Sequence, residues 1–159
     1  MRSGVSEVLF FHLESASLED TLPVMLERTR ERDQKRAVVR IGTAERMETL
    51  DAHLWTYSEQ TFLAHGTAAE GHSSRQPIFL STENDNPNKA QVLFLVDGAV
   101  PDDWAAPSLR DYSRIVLMFD GRDESALNAA RAQWRTCKQA GHDATYWKQS
   151  AAGKWEKQG

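Results

Sequence analysis

The sequence predicts a single α/β domain, a three-layer sandwich with helices on both sides of a mostly parallel sheet. Three observations carry that expectation. Strand-like and helix-like segments alternate through the first third of the chain, as parallel strands joined by crossover helices require. Two later runs, QVLFLVDG (91–98) and RIVLMFDG (114–121), are hydrophobic almost throughout, the mark of central strands covered on both faces. A chain of 159 residues, 40% hydrophobic and 26% charged, can bury one sizeable core.

Each element has its own signal. EVLFFHL (7–13) is a compact apolar run and predicts the first strand. In SLEDTLPVMLERTRERDQ, residues Leu18, Leu22, Met25, Leu26 and Thr29 recur at helical spacing. Pro23 lacks an N–H and belongs in a first turn, so the helix is expected to start near Asp20 or Thr21. RAVVRIG (36–42) predicts the second strand. TAERMETLDAHLW (43–55) predicts the second helix, with Thr43 as N-cap and Met47, Leu50 and Leu54 as its apolar stripe.

QTFLAHG (60–66) and QPIFLST (76–82) are shorter strand candidates, separated by the loop GTAAEGHSSR. TENDNPNKA is a loop by composition, and AVPDDWAAPSLRDYS, with two prolines, holds at most a short helix. The last helix is expected from about Asp123 to Ala140, followed by a possible edge strand, ATYWK. QSAAGKWEKQG has no core pattern and is expected to be a loose tail. The domain expected is therefore 1–148, with a polar tail at 149–159.

No apolar run approaches the about 18 residues of a membrane span. The opening MRSGVSEVLFFHLES is interrupted by Glu7 and reads as a strand rather than a secretory signal. Cys137 is the only cysteine, which excludes an internal disulfide and makes a reducing cytoplasm the expected home. Net charge is −4, but from residue 131 onward six cations face only Asp143 and Glu156, so a basic end of +4 follows a body of −8. Such asymmetry disfavours a broad nucleic-acid footprint and favours a local site for something small and negative.

Catalytic chemistry is not visible. No G-x-x-x-x-G-K-[ST] loop occurs, and the first strand is followed by ESASLED rather than by glycines. Asp97-Gly98 and Asp120-Gly121 end strands, where a carboxylate could hold Mg²⁺ or act as a base, yet capping the following turn is the stronger reading. His12, His53, His65, His72 and His142 lack metal-ligand spacing. Cys137 has no His–Asp arrangement around it and reads as a small buried hydrophobe. The expectation is no catalytic residue, no metal and no cofactor.

One stretch stands out. In ARAQWRTCKQAG (130–141), Arg131, Arg135 and Lys138 share a helical face with Trp134, and Gly141 supplies a stop. Charged helix faces ordinarily serve solubility. Here the charges are unmixed, a tryptophan is costly to expose, and Leu127, Ala130, Trp134 and Cys137 form an apolar seam beside the cations. The ligand suited to this face carries a carboxylate for arginine to grip and an apolar group for the seam. An acidic peptide ending in an aromatic residue has both.

The words LDAHLWTYSEQTFLAHG (50–66) and ARAQWRTCKQAGHDATYWK (130–148), in this order of elements, resemble the chi subunit family of bacterial DNA polymerase III, from about Val8 to Lys148. The resemblance implies a Rossmann-like fold and a non-catalytic adaptor of the clamp loader in DNA replication. Members bind the psi subunit on one surface and the acidic, Pro-Phe-ending tail of single-stranded DNA-binding protein on another. By position, the tail-binding residues are Arg131, Trp134, Arg135 and Lys138, and the psi-binding aromatics are Trp55 and Phe62. Trp134 stands where Tyr is typical and Arg135 where Lys is typical; both keep a platform and a charge. Direct single-strand binding by the same face and, further off, a nucleotide-using enzyme at the strand tips are the alternative readings.

Overall fold

The structure, a computed structural model, describes residues 7–57 and 63–158. Its described strands are β1 (Glu7–Leu13), β2 (Ala37–Ile41), β3 (His65–Gly66), β4 (Ile78–Ser81), β5 (Val92–Val96), β6 (Arg114–Asp120), β7 (Asp143–Gln149) and β8 (Trp155–Lys157); the helices are α1 (Leu18–Glu31), α2 (Ala44–Thr56) and α3 (Glu124–Gln139). The strands form one sheet in the order β3-β4-β2-β5-β6-β1-β7-β8. Every described pairing is parallel except β7 with β8. This is a three-layer α/β sandwich on a mostly parallel sheet.

Strand alternation sorts the core into two halves. Phe11 and Leu13 of β1 and Val116 and Met118 of β6 pack with Leu22 and Leu26 of α1 and Leu50 and Leu54 of α2. Phe10 and the odd-numbered Ile115 and Leu117 of β6 point the other way, toward Trp104, Leu109, and Ala130 and Cys137 of α3. The long apolar runs β5 and β6 are buried because both faces are covered. Between them only a 3₁₀ turn, Pro107–Asp111, forms, as the two prolines led one to expect.

Helix α1 starts earlier than Pro23 suggests. Ser17 caps it, accepting from the Asp20 N–H at 3.1 Å, so Pro23 lies beyond the first turn. The carbonyl that Pro23 leaves without its helical donor is that of Glu19. His53 of α2 takes it, with Nε2 2.6 Å from the Glu19 oxygen. A partner on a neighbouring helix thus offsets the cost of an interior proline.

The chain after Lys148 also differs from expectation. ATYWK lies inside β7, which runs between β1 and β8 and is not an edge; the expected loose segment turns back as β8. Trp155 packs its edge on Phe11, centroids 4.7 Å apart, and the Gln149 Oε1 accepts from the Ser15 and Ala16 N–H groups at 3.0 Å each. One aromatic and one amide hold this end against β1. Of the predicted strand at 60–66, only His65–Gly66 is a described strand, and residues 60–62 lie outside the described residues.

Candidate functional site

Helix α3 is fixed before its cations are considered. Asp123 caps it, its Oδ1 accepting from the Ser125 N–H at 2.9 Å and the Ala126 N–H at 3.3 Å. Gly141, at φ +90°, follows its end. Leu127, Ala130, Trp134 and Cys137 turn toward the sheet, and Gln133 Oε1 accepts from the buried Trp104 Nε1–H at 2.7 Å. Burial pushes the Cys137 thiol up to about 12, against the opposing pull of Lys138. A thiol reagent at mildly alkaline pH should therefore label Cys137 only once the protein is unfolded; rapid modification of the native protein would contradict that environment.

The other side of α3 carries the cationic face. Arg131, Arg135 and Lys138 are exposed, and none forms an ion pair with a described carboxylate. Lys138, in the last turn of the helix, also suits the macrodipole. Trp134 is half-buried and meets Phe10 edge-on at 5.3 Å and Tyr146 edge-on at 5.7 Å. The Lys138 Nζ lies 5.2 Å from the Trp134 ring centroid. Arg131, Trp134, Arg135 and Lys138 thus form one continuous surface beside β7.

Tyr146 was not singled out by sequence pattern. It sits on β7, in register with Phe10 of β1. Its hydroxyl is 2.7 Å from His12 Nδ1, and His12 Nε2 is 2.6 Å from the Glu14 carboxylate. Burial raises the Tyr146 phenol, with Arg131 drawing it back down and Glu14 adding to the rise. The hydroxyl therefore lies within the fields of both Arg131 and Glu14. Gly121 makes room for this arrangement, since a Cβ there would fall 1.8 Å from His12 Nε2.

The second candidate surface lies on the opposite layer. Trp55, at the end of α2, is 46% exposed, and its ring lies 4.2 Å from that of His65. The His65 imidazole is itself buried, donating from Nδ1 to the Leu63 carbonyl at 2.7 Å, with Nε2 3.1 Å from Asp51 Oδ1. Trp55 therefore stands on a fixed support. Phe62, the other aromatic that the resemblance implies, lies outside the described residues.

A cleft of about 610 Å³ opens at the carboxyl ends of β1 and β6, where α/β folds commonly hold ligands. Its two arginines are already engaged. Arg46 bonds Glu19 and, at 3.2 Å, Asp97; Arg122 bonds Asp120 at 2.9 Å. Arg46 holds the Glu19 carboxyl below its ordinary range, and Arg122 does the same for Asp120. A phosphate would have to displace these carboxylates. Asp120 also accepts from the Arg122 N–H at 2.9 Å, a turn-capping role. Among the described residues no three His, Cys, Asp or Glu side chains gather to hold a metal, and no helix is long and apolar enough to cross a membrane.

Comparison with known proteins adds two findings. The family model described as DNA polymerase III chi subunit, HolC, matches residues 5–145. Over 90 residues the chain is 30% identical to a Rickettsia prowazekii (strain Madrid E) protein named probable DNA polymerase III subunit chi, an alignment covering 54% of this chain and 53% of that protein. The chain thus spans about half the length of the curated relative it matches.

Proposed function

Because the chain belongs to the DNA polymerase III chi subunit family, we propose that it is a non-catalytic adaptor of the clamp loader. In this reading α3 receives the acidic, Pro-Phe-ending tail of single-stranded DNA-binding protein, and the Trp55 surface, with Phe62, receives the psi subunit. The observation that carries it is the set of three cations, without described carboxylate partners, around the half-buried Trp134. Arg131 offers a planar fork for a carboxylate, while Trp134 offers a ring face against which an aromatic side chain can pack. Lys138 and Arg135 extend the positive field for further acidic residues and would speed encounter, an effect that salt weakens.

Trp55 supports the second contact because a large, exposed, rigidly supported aromatic is typical of an interface anchor. Titration calorimetry with an acidic peptide ending in Pro-Phe, and separately with psi, tests both surfaces. Arg131→Ala should weaken the peptide by about 2 kcal/mol or more, roughly thirtyfold, and leave psi unaffected. Trp55→Ala should do the reverse. Equal peptide affinity for wild type and Arg131→Ala would remove α3 from the reading.

A further inference from the structure

The cationic face on α3 ends against a hydrogen-bonded chain that runs from Tyr146 through His12 to Glu14. Resting on the tail-binding reading above, we propose that Tyr146 is a further ligand-contacting residue of that site, and that His12 is the positioning residue that sets whether its hydroxyl offers a proton or a lone pair to the incoming carboxylate.

The Glu14 carboxylate can only accept, so His12 Nε2–H donates to it across 2.6 Å. In neutral His12 the remaining nitrogen, Nδ1, has no proton and must accept. The Tyr146 hydroxyl 2.7 Å away then spends its proton on His12 and presents only lone pairs outward. A peptide carboxylate held by Arg131 meets those lone pairs unfavourably. When His12 is protonated both nitrogens donate. Tyr146 then accepts from Nδ1–H, and its own O–H is free to turn toward the ligand.

The same protonation makes the local charge more positive by one. Glu14, the carboxylate whose field reaches the Tyr146 hydroxyl, gains a cation at 2.6 Å in addition to Lys148 at 3.9 Å. Among the described residues, the other charged groups around His12 are Asp120 at the end of β6, already bonded to Arg122, and Arg131 of α3, which acts through Tyr146. Phe119 closes the remaining side at 5.1 Å, and Gly121 lies directly against the imidazole. Only 5% of His12 is exposed, so reorientation is confined and the proton decides the pattern. Both effects have one sign: proton uptake favours an acidic ligand. Carboxylates of the ligand stay ionised down to about pH 5.5, so they add nothing opposing.

Titration of the acidic Pro-Phe peptide at constant ionic strength across a series from about pH 8 to about pH 5.5 tests the proposal. Wild type should bind roughly fivefold more tightly at the acid end, the factor expected for one hydrogen bond changed from unfavourable to favourable. Tyr146→Phe, which keeps the ring against Trp134, should lose most of that gain, and His12→Gln should give a flat profile; thermal melts confirm that each variant is folded. A flat wild-type profile, or a Tyr146→Phe profile matching wild type, overturns this inference. If Arg131→Ala still weakens binding roughly thirtyfold in that case, the tail-binding reading survives. Absence of peptide binding at every pH overturns both.

Discussion

Phe10→Ala should cost about 3–5 kcal/mol of stability, the range for truncating a buried aromatic in a close-packed core. Phe10 is wholly inaccessible in the middle of β1, between Leu117 of β6 and Tyr146 of β7 in the sheet register. Its ring lies 6.2 Å from that of Trp104 and 5.3 Å from that of Trp134. Removing it opens a void at the place where α3 rests on the sheet, and the neighbouring indoles are too large and too well held to fill it. The loss should appear as a lower urea midpoint with an unchanged slope. Peptide affinity should fall as well, because Trp134 loses the edge contact that fixes its plane. A stability loss below about 1 kcal/mol would show that the site can collapse, contrary to the packing described.

The second large effect is expected from the smallest substitution. Gly42→Ala places a methyl group 2.1 Å from the carbonyl oxygen of Asp97 and 3.2 Å from its carbon. The obstacle is backbone, so it cannot swing aside as a side-chain tip could. Nor is the Asp97 turn free to retreat. Asp97 and Gly98 both have positive φ, at 50° and 84°, and Ala99 N–H closes the turn onto the Val96 carbonyl at 3.1 Å. The Asp97 carboxylate is also held by Arg46 of α2. Relief would have to move β5's turn or the start of α2, whose N-cap is the next residue, Thr43. Overpacking of this kind typically costs about 1–3 kcal/mol. Denaturant unfolding measures it directly, and a variant as stable as wild type would mean that the two turns are far looser than their hydrogen bonds imply.

How much of this was legible in the sequence depends on the range of the interaction. β1, β5 and β6 were readable because burial on both faces forces an unbroken apolar run, and α2 and α3 because capping residues and apolar spacing agree. The start of α1 was misjudged because the partner that accommodates Pro23 is His53, on another helix. β8 gave no signal: three residues, one of them apolar, carry no periodicity, and Trp155 earns its place only by meeting Phe11.

The same distinction applies to the candidate site. Arg131, Trp134, Arg135 and Lys138 could be grouped from spacing alone, since they share one helix. Tyr146 could not. It reaches His12 only because β7 lies parallel beside β1, and strand order is set by global topology rather than by local pattern. An Asp-Gly pair likewise signals a turn, but not that its carboxylate will meet Arg46 or Arg122.

α2 packs over β2, β3 and β4, and α3 over β6, β1 and β7, on the opposite layer. Bodies anchored at Trp55 and at Trp134 would therefore be separated by the thickness of the sheet and much of its breadth. On the proposed reading, either partner could then leave without dislodging the other.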